Sequence, residues 1–139
     1  MRSHTLLGTL LLAGACGGGR FYDTLAASPA AAPADVIACA RAKLRPLGYE
    51  ETSFDQTDNR VTARKVDNSV RRPEPQFRRN VDRLEIQAAP DSSGKTSLTV
   101  IGHTFAEYST HRGPTEEEER ASADVKHSSQ AIIDACGRP

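Results

Sequence analysis

Asn80-Val81-Asp82-Arg83-Leu84-Glu85-Ile86-Gln87-Ala88-Ala89 is the stretch that decides the fold. Leu84, Ile86 and Ala88 fall on one side of an extended chain, and Arg83, Glu85 and Gln87 on the other. Side chains alternate across a strand, so this pattern predicts an antiparallel strand with one face buried and one in water. Pro90 to Gly94 turns the chain, and Lys95 to Tyr108 predicts a long partner strand. There Leu98 and Val100 share one face, and Ile101, His103 and Phe105 the other, with Gly102 between them. Either a bulge at Gly102 shifts the phase or both faces are partly apolar.

The flanks extend this sheet. Tyr49 to Asp55 and Arg60 to Val66 predict two strands joined by a turn at Asp58-Asn59. Asp67 to Arg79 predicts a long loop, broken by Pro73 and Pro75. Before them, Asp35 to Leu44 predicts a helix: Val36, Ala40, Leu44 and Leu47 share a stripe, Pro33 suits the start, and Pro46 and Gly48 mark the end. After them, Gly113-Pro114-Thr115 predicts the start of a last helix. Thr115 and Glu118 have capping-box spacing, and Glu116 to Glu119 place negative charge at the positive end. Ala121, Val125, Ser129, Ile132 and Cys136 then form one stripe. The expected fold is α+β with the order α-β-β-β-β-α. It is a four-stranded antiparallel sheet with N- and C-terminal helices packed on one face.

The chain start carries a different signal. Arg2, then Leu6, Leu7, Leu10, Leu11 and Leu12, then Ala13-Gly14-Ala15 read as an export signal: positive start, short apolar run, small residues at the cut. The run is far shorter than the ~20 residues that span a bilayer. Leu12-Ala13-Gly14-Ala15-Cys16 resembles the bacterial lipobox, with Ala13 standing where that family prefers a larger aliphatic residue. The resemblance covers residues 1–16 only. It implies cleavage before Cys16, acylation of Cys16, and membrane attachment through that lipid. Gly17, rather than an aspartate, follows the cysteine. The resemblance then implies the periplasmic face of the outer membrane in a host that has one. Ala13-Gly14-Ala15 also fits ordinary secretion with a cut at the same bond, so the lipid and not the cut discriminates the two.

Three regions are expected: residues 1–15 as a signal peptide that is removed, 16–33 as a lipid-bearing cysteine and flexible Gly/Ala/Pro tether, and 34–139 as one globular domain. Gly17 to Pro33 would reach at most ~60 Å fully extended. The domain core is thin: Val, Ile, Leu and Phe supply 19 side chains between Ala34 and Gly137, and there is no Trp. If Cys16 carries lipid, Cys39 and Cys136 remain as a pair in an oxidising compartment. Their disulfide would clamp the first helix to the last. Two buried free thiols or a metal pair are the other readings, though no C-x-x-C or Cys/His spacing is present.

Chemistry-bearing motifs are few. Without residues 1–15 the chain has 17 basic and 18 acidic side chains, so nothing points to nucleic acid. Ala89 to Thr96 fits a loose phosphate-loop pattern. A strand follows it where that site needs a helix, so it reads as a turn. His103, His111 and His127 lack zinc-site spacing. No nucleophile elbow or Cys/His pairing occurs, and Glu116 to Glu119 are adjacent rather than opposed across a cleft. No enzymatic activity, cofactor or metal is expected. From Arg60 to Arg83, eight basic residues face three acidic ones. Arg71, Arg72, Arg78 and Arg79 flank Pro73-Glu74-Pro75, and guanidinium forks suit phosphates and carboxylates. That loop is the expected contact site. The expected function is a lipid-anchored, non-enzymatic interaction or structural module of the cell envelope, presenting the basic loop and the helix-free sheet face to a partner. The alternative is a binder of an anionic envelope ligand (lipid headgroup, lipopolysaccharide or peptidoglycan) through those arginines.

Overall fold

The computed structural model describes residues 21–139. The signal stretch 1–15 and Cys16 lie outside the described residues. The elements run β1 (Asp23–Ala27), α1 (Pro33–Leu44), β2 (Glu50–Asp55), β3 (Arg60–Asp67), β4 (Phe77–Pro90), β5 (Thr96–Thr110), β6 (Gly113–Glu119) and α2 (Ala123–Cys136). The strands form one six-stranded antiparallel sheet in the order β1-β5-β4-β3-β2, with β6 also on β5. This corrects the expected four-stranded sheet: both additional strands share the edge of β5 that β4 leaves open. β1 pairs with Leu98 to Gly102 and β6 with Thr104 to Thr110. His103 sits at the seam between them.

Each additional strand has a physical reason. Asp23–Ala27 carries only one large apolar side chain, Leu25, and lies within what its composition marks as tether. It extends because β5 is 15 residues long and offers backbone partners beyond the end of β6. Segment 23–33 is therefore built into the domain: Ala30 N–H donates to the Arg138 carbonyl at 3.1 Å, and α1 begins at Pro33. The second correction concerns Gly113–Glu119, a strand rather than a helix start. Gly113 takes φ 108°, which reverses the chain after Thr110. Pro114 is tolerated because β6 is an edge strand. The glutamates stay extended because β5 pairs with the whole run; Glu116, Glu118 and Glu119 also meet Arg83, His103 and Arg72. The α2 cap is Ser122, whose hydroxyl accepts from the Val125 N–H at 3.0 Å.

Alternation sorts the sheet into two faces. Leu84, Ile86 and Ala88 of β4, Leu98 and Val100 of β5, and Val61 and Ala63 of β3 are buried under both helices. Val36, Ile37, Ala40 and Leu44 of α1, and Val125 and Ile132 of α2, complete this core. Register runs unbroken through Leu84↔Gly102, so no bulge occurs there and β5 is partly apolar on both faces. Gly102 is where α2 comes closest: a Cβ there would stand 2.9 Å from Val125 Cγ2 and 3.0 Å from Ser129 Oγ. Cys39 and Cys136 form a disulfide, with S–S 2.02 Å and Cα–Cα 5.8 Å.

Candidate functional site

The four arginines of the expected contact loop do not converge. The connection between β3 and β4 spans 68–76, so Arg78 and Arg79 belong to β4. Arg71 turns back on its own loop, donating to the carbonyls of Asn68 and Val70. Arg72 crosses to β6: its guanidinium grips both Glu119 carboxylate oxygens, donates to Asn80 Oδ1 at 3.2 Å, and lies 4.6 Å over the Phe77 ring. That grip holds the Glu119 carboxyl below its usual range and raises Arg72. Arg79 pairs with Glu107, Nε to Oε1 at 3.1 Å. Arg78 is exposed at the register shift between Phe77 and Arg79. Two of the four are thus neutralised within the fold, one secures the loop, and one faces solvent alone.

A more organised surface lies on the sheet face opposite the helices. The odd-numbered residues of β4 and β5 emerge there: Arg83 and Glu85, and Ile101, His103 and Phe105. Arg83 sits 4.6 Å over the Phe105 ring and donates through Nη2 to both Glu116 oxygens, at 2.6 and 2.8 Å. His103 stacks along Phe105 with centroids 6.0 Å apart, and Tyr22 closes on His103 at 5.5 Å. His103 Nδ1 lies 2.7 Å from Glu118 Oε1. Further across, Arg60 pairs with Glu85 at 2.9 Å and Arg64 with Glu50 at 3.5 Å. A depression of about 300 Å³ opens between Thr62, Arg64, Arg83, His103 and Phe105.

The face is therefore mixed in charge, with an aromatic and guanidinium centre and an outer ring of ion pairs. Arg83 is held in one pose by two interactions at once, the carboxylate fork and the ring. Sequence reasoning offered the helix-free face to a partner but did not single out this cluster on it. Its signal was the second apolar set on β5, Ile101, His103 and Phe105, an odd feature for a solvent face. Tyr22, an aromatic residue odd in a tether and expected to pack on the domain, was the other signal.

Elsewhere the polar chemistry serves the fold. Asp82 is 5 % exposed, yet carries a carboxyl. It accepts from the Thr104 hydroxyl and from Ser122 Oγ at 2.9 Å. Burial pushes its pKa up, against those hydrogen bonds. Ser122 Oγ also accepts from the α2 backbone, so the group is a helix cap tied to the sheet. Tyr49 is buried beside α2, and desolvation raises its phenol. In the 91–95 turn the Asp91 carboxylate accepts from Ser93 N, Ser93 Oγ and Lys95 N, at 2.8, 2.6 and 3.0 Å. These bonds draw the Asp91 pKa down. His111 and His127 are exposed and apart from His103. Among the described residues no three His, Cys, Asp or Glu side chains converge as a metal set, and no helix is long and apolar enough to cross a membrane. No protein-family model matches the chain, and no curated protein matches it.

Proposed function

We propose that the protein is a lipid-anchored, non-enzymatic module of the cell envelope that engages a protein partner through the helix-free face of its sheet. The observation that carries this reading is the Arg83–Phe105–His103 centre inside a ring of ion pairs. Protein interfaces concentrate aromatic and arginine anchors at a centre and leave charged groups at the rim. A pre-oriented arginine and a stacked ring lose little conformational freedom on contact. The mixed charge favours a protein over an anionic polymer: Glu85, Glu116 and Glu50 stand beside Arg60, Arg83 and Arg64. A polyanion would meet a carboxylate beside each cation. Cys16 supplies the anchor in this reading, and its sequence context supports an outer-membrane, periplasm-facing address.

The test places a photo-crosslinking side chain at Thr62 or Arg64 in the intact cell, with Gln130 on the exposed side of α2 as control. The expected result is one discrete adduct from positions 62 and 64, none from 130, and loss of the adduct with Phe105→Ala. Equal labelling from all three positions, or none from 62 and 64, overturns the partner-face reading. An intact mass of the mature protein lacking acyl chains overturns the anchor separately.

A further inference from the structure

Phe21 and Tyr22 are the two exposed large apolar side chains among the described residues, at 57 % and 39 % exposure, and they are consecutive. They stand where the chain enters the sheet. The Phe21 carbonyl accepts from the Ala121 N–H at 2.6 Å, and β1 begins two residues later. Tyr22 rests one side of its ring on His103. The chain is thus held from position 21 onward, at the seam where β1 and β6 meet on β5.

This changes the geometry of the anchor. A tether from 16 to 33 would let the domain drift ~60 Å from its attachment point. With β1 in the sheet, only Gly17, Gly18, Gly19 and Arg20 separate Cys16 from Phe21. Those five steps reach at most about 18 Å. The headgroup layer on one side of a bilayer is itself roughly 5–7 Å deep. A domain so tethered cannot hold its entry point far from the lipid surface, and its entry point carries adjacent aromatic rings. Tyrosine suits the headgroup level, with an apolar ring and a polar tip.

We infer that the β1–β6 edge of the sheet docks on the lipid bilayer, with Phe21 and Tyr22 set into the headgroup region beside the acylated Cys16. The inference rests on the lipid-anchor reading above. Docking on this edge stands the sheet upright on the membrane. The Arg83–Phe105 face then looks sideways, open to a neighbour on the same surface, and the β2–β3 turn at Gln56 points away from the lipid.

The chain contains no tryptophan, so Phe21→Trp adds a single reporter that keeps an aromatic ring in place. The variant, extracted from membranes in its mature form, is reconstituted into phosphatidylcholine vesicles containing lipids brominated near the headgroup. Gln56→Trp serves as the distant control. The expected result is blue-shifted emission and loss of intensity for Phe21→Trp, with protection from aqueous iodide. Gln56→Trp should keep its intensity and stay open to iodide. An unquenched Phe21→Trp on acylated protein overturns the docking and leaves the anchor standing. Equal quenching at both positions overturns the edge-on orientation. An intact mass without acyl chains removes the anchor and the docking together.

Discussion

The two faces of the sheet alternate along the same strands, and they are held by different physics. On the inner face Leu84, Ile86, Leu98 and Val100 are all but inaccessible under two helices. Their stabilisation comes from leaving water, at roughly 25 cal/mol per Å² of apolar surface. On the outer face Arg60, Arg64 and Arg83 each meet a carboxylate while keeping substantial contact with solvent. Exposed ion pairs contribute about 0–1 kcal/mol each. The inner face therefore sets whether the domain folds. The exposed ion pairs of the outer face are free to vary at small cost to stability, which is the condition a recognition surface needs.

That contrast can be broken or sharpened by measurement. The largest effect is expected at the disulfide, which joins residues 97 apart and ties the two helices over the inner face. Reduction, or Cys136→Ser, should lower stability by about 4–5 kcal/mol in the chain-entropy account. Thermal melts with and without reductant read this directly, and an unchanged midpoint would show that burial alone holds the helices down. Next comes the core itself. Leu84→Ala should cost ~2–5 kcal/mol in denaturant unfolding, while Ile101→Ala, one strand over on the outer face, should cost clearly less. Equal losses would erase the distinction between the faces.

Gly102→Ala tests the closest approach of α2. The new Cβ meets Val125 and Ser129 at 2.9 and 3.0 Å, and overpacking of this kind costs about 1–3 kcal/mol. Adding Val125→Ala should return part of that loss, because it removes the nearer obstacle. A double variant as unstable as the sum of the two single ones would mean the helix does not rest there.

Asp82 is the ionisable group placed on the wrong side. Its folded pKa lies above the ordinary carboxylate value because burial penalises the charge. The folded state then holds the proton more tightly than the unfolded chain. The stability this adds is complete below the unfolded pKa and is lost as pH rises through the folded one. Lys65, Thr104, Ser122 and Asp124 share its surroundings. Asp82→Asn should remove this pH dependence, so the melting-point difference, variant minus parent, should grow from pH 4 toward pH 7. A difference that stays flat would assign the pH dependence to other groups. The smallest effects are expected from Arg60→Ala and Arg83→Ala, each within about 1 kcal/mol of the parent. Of the two, only Arg83→Ala should also weaken crosslinking from position 62.

Much of the inner architecture was legible along the chain. The alternation at Arg83 to Ala88, the hairpin around Asp58-Asn59 and the α1 stripe of Val36, Ala40 and Leu44 each mark a local period. The helix stripe through Val125, Ile132 and Cys136 does the same. The start of α2 was not legible, because Thr115 and Glu118 satisfy a capping rule while lying in a strand. Ser122, the cap the structure uses, has no Glu or Gln three residues on. The arginine loop misled for a related reason. Four like charges close in sequence suggest a patch, and nothing local reveals that Glu119 and Glu107 are waiting for Arg72 and Arg79.

The sequence by itself determined which residues alternate, which faces of the helices are apolar, and the presence of two cysteines on those faces. Such patterns come from interactions within a few residues, and these are written in the chain order. Only the tertiary structure decided that Asp23–Ala27 is a strand, that four glutamates run extended, and that Tyr22, His103, Phe105 and Arg83 meet. Those outcomes depend on the open edge of β5 and on partners distant in the chain, Tyr22 and His103 being 81 positions apart. An edge strand with one large apolar side chain carries no period of its own; it is a strand because a neighbour offers it hydrogen bonds.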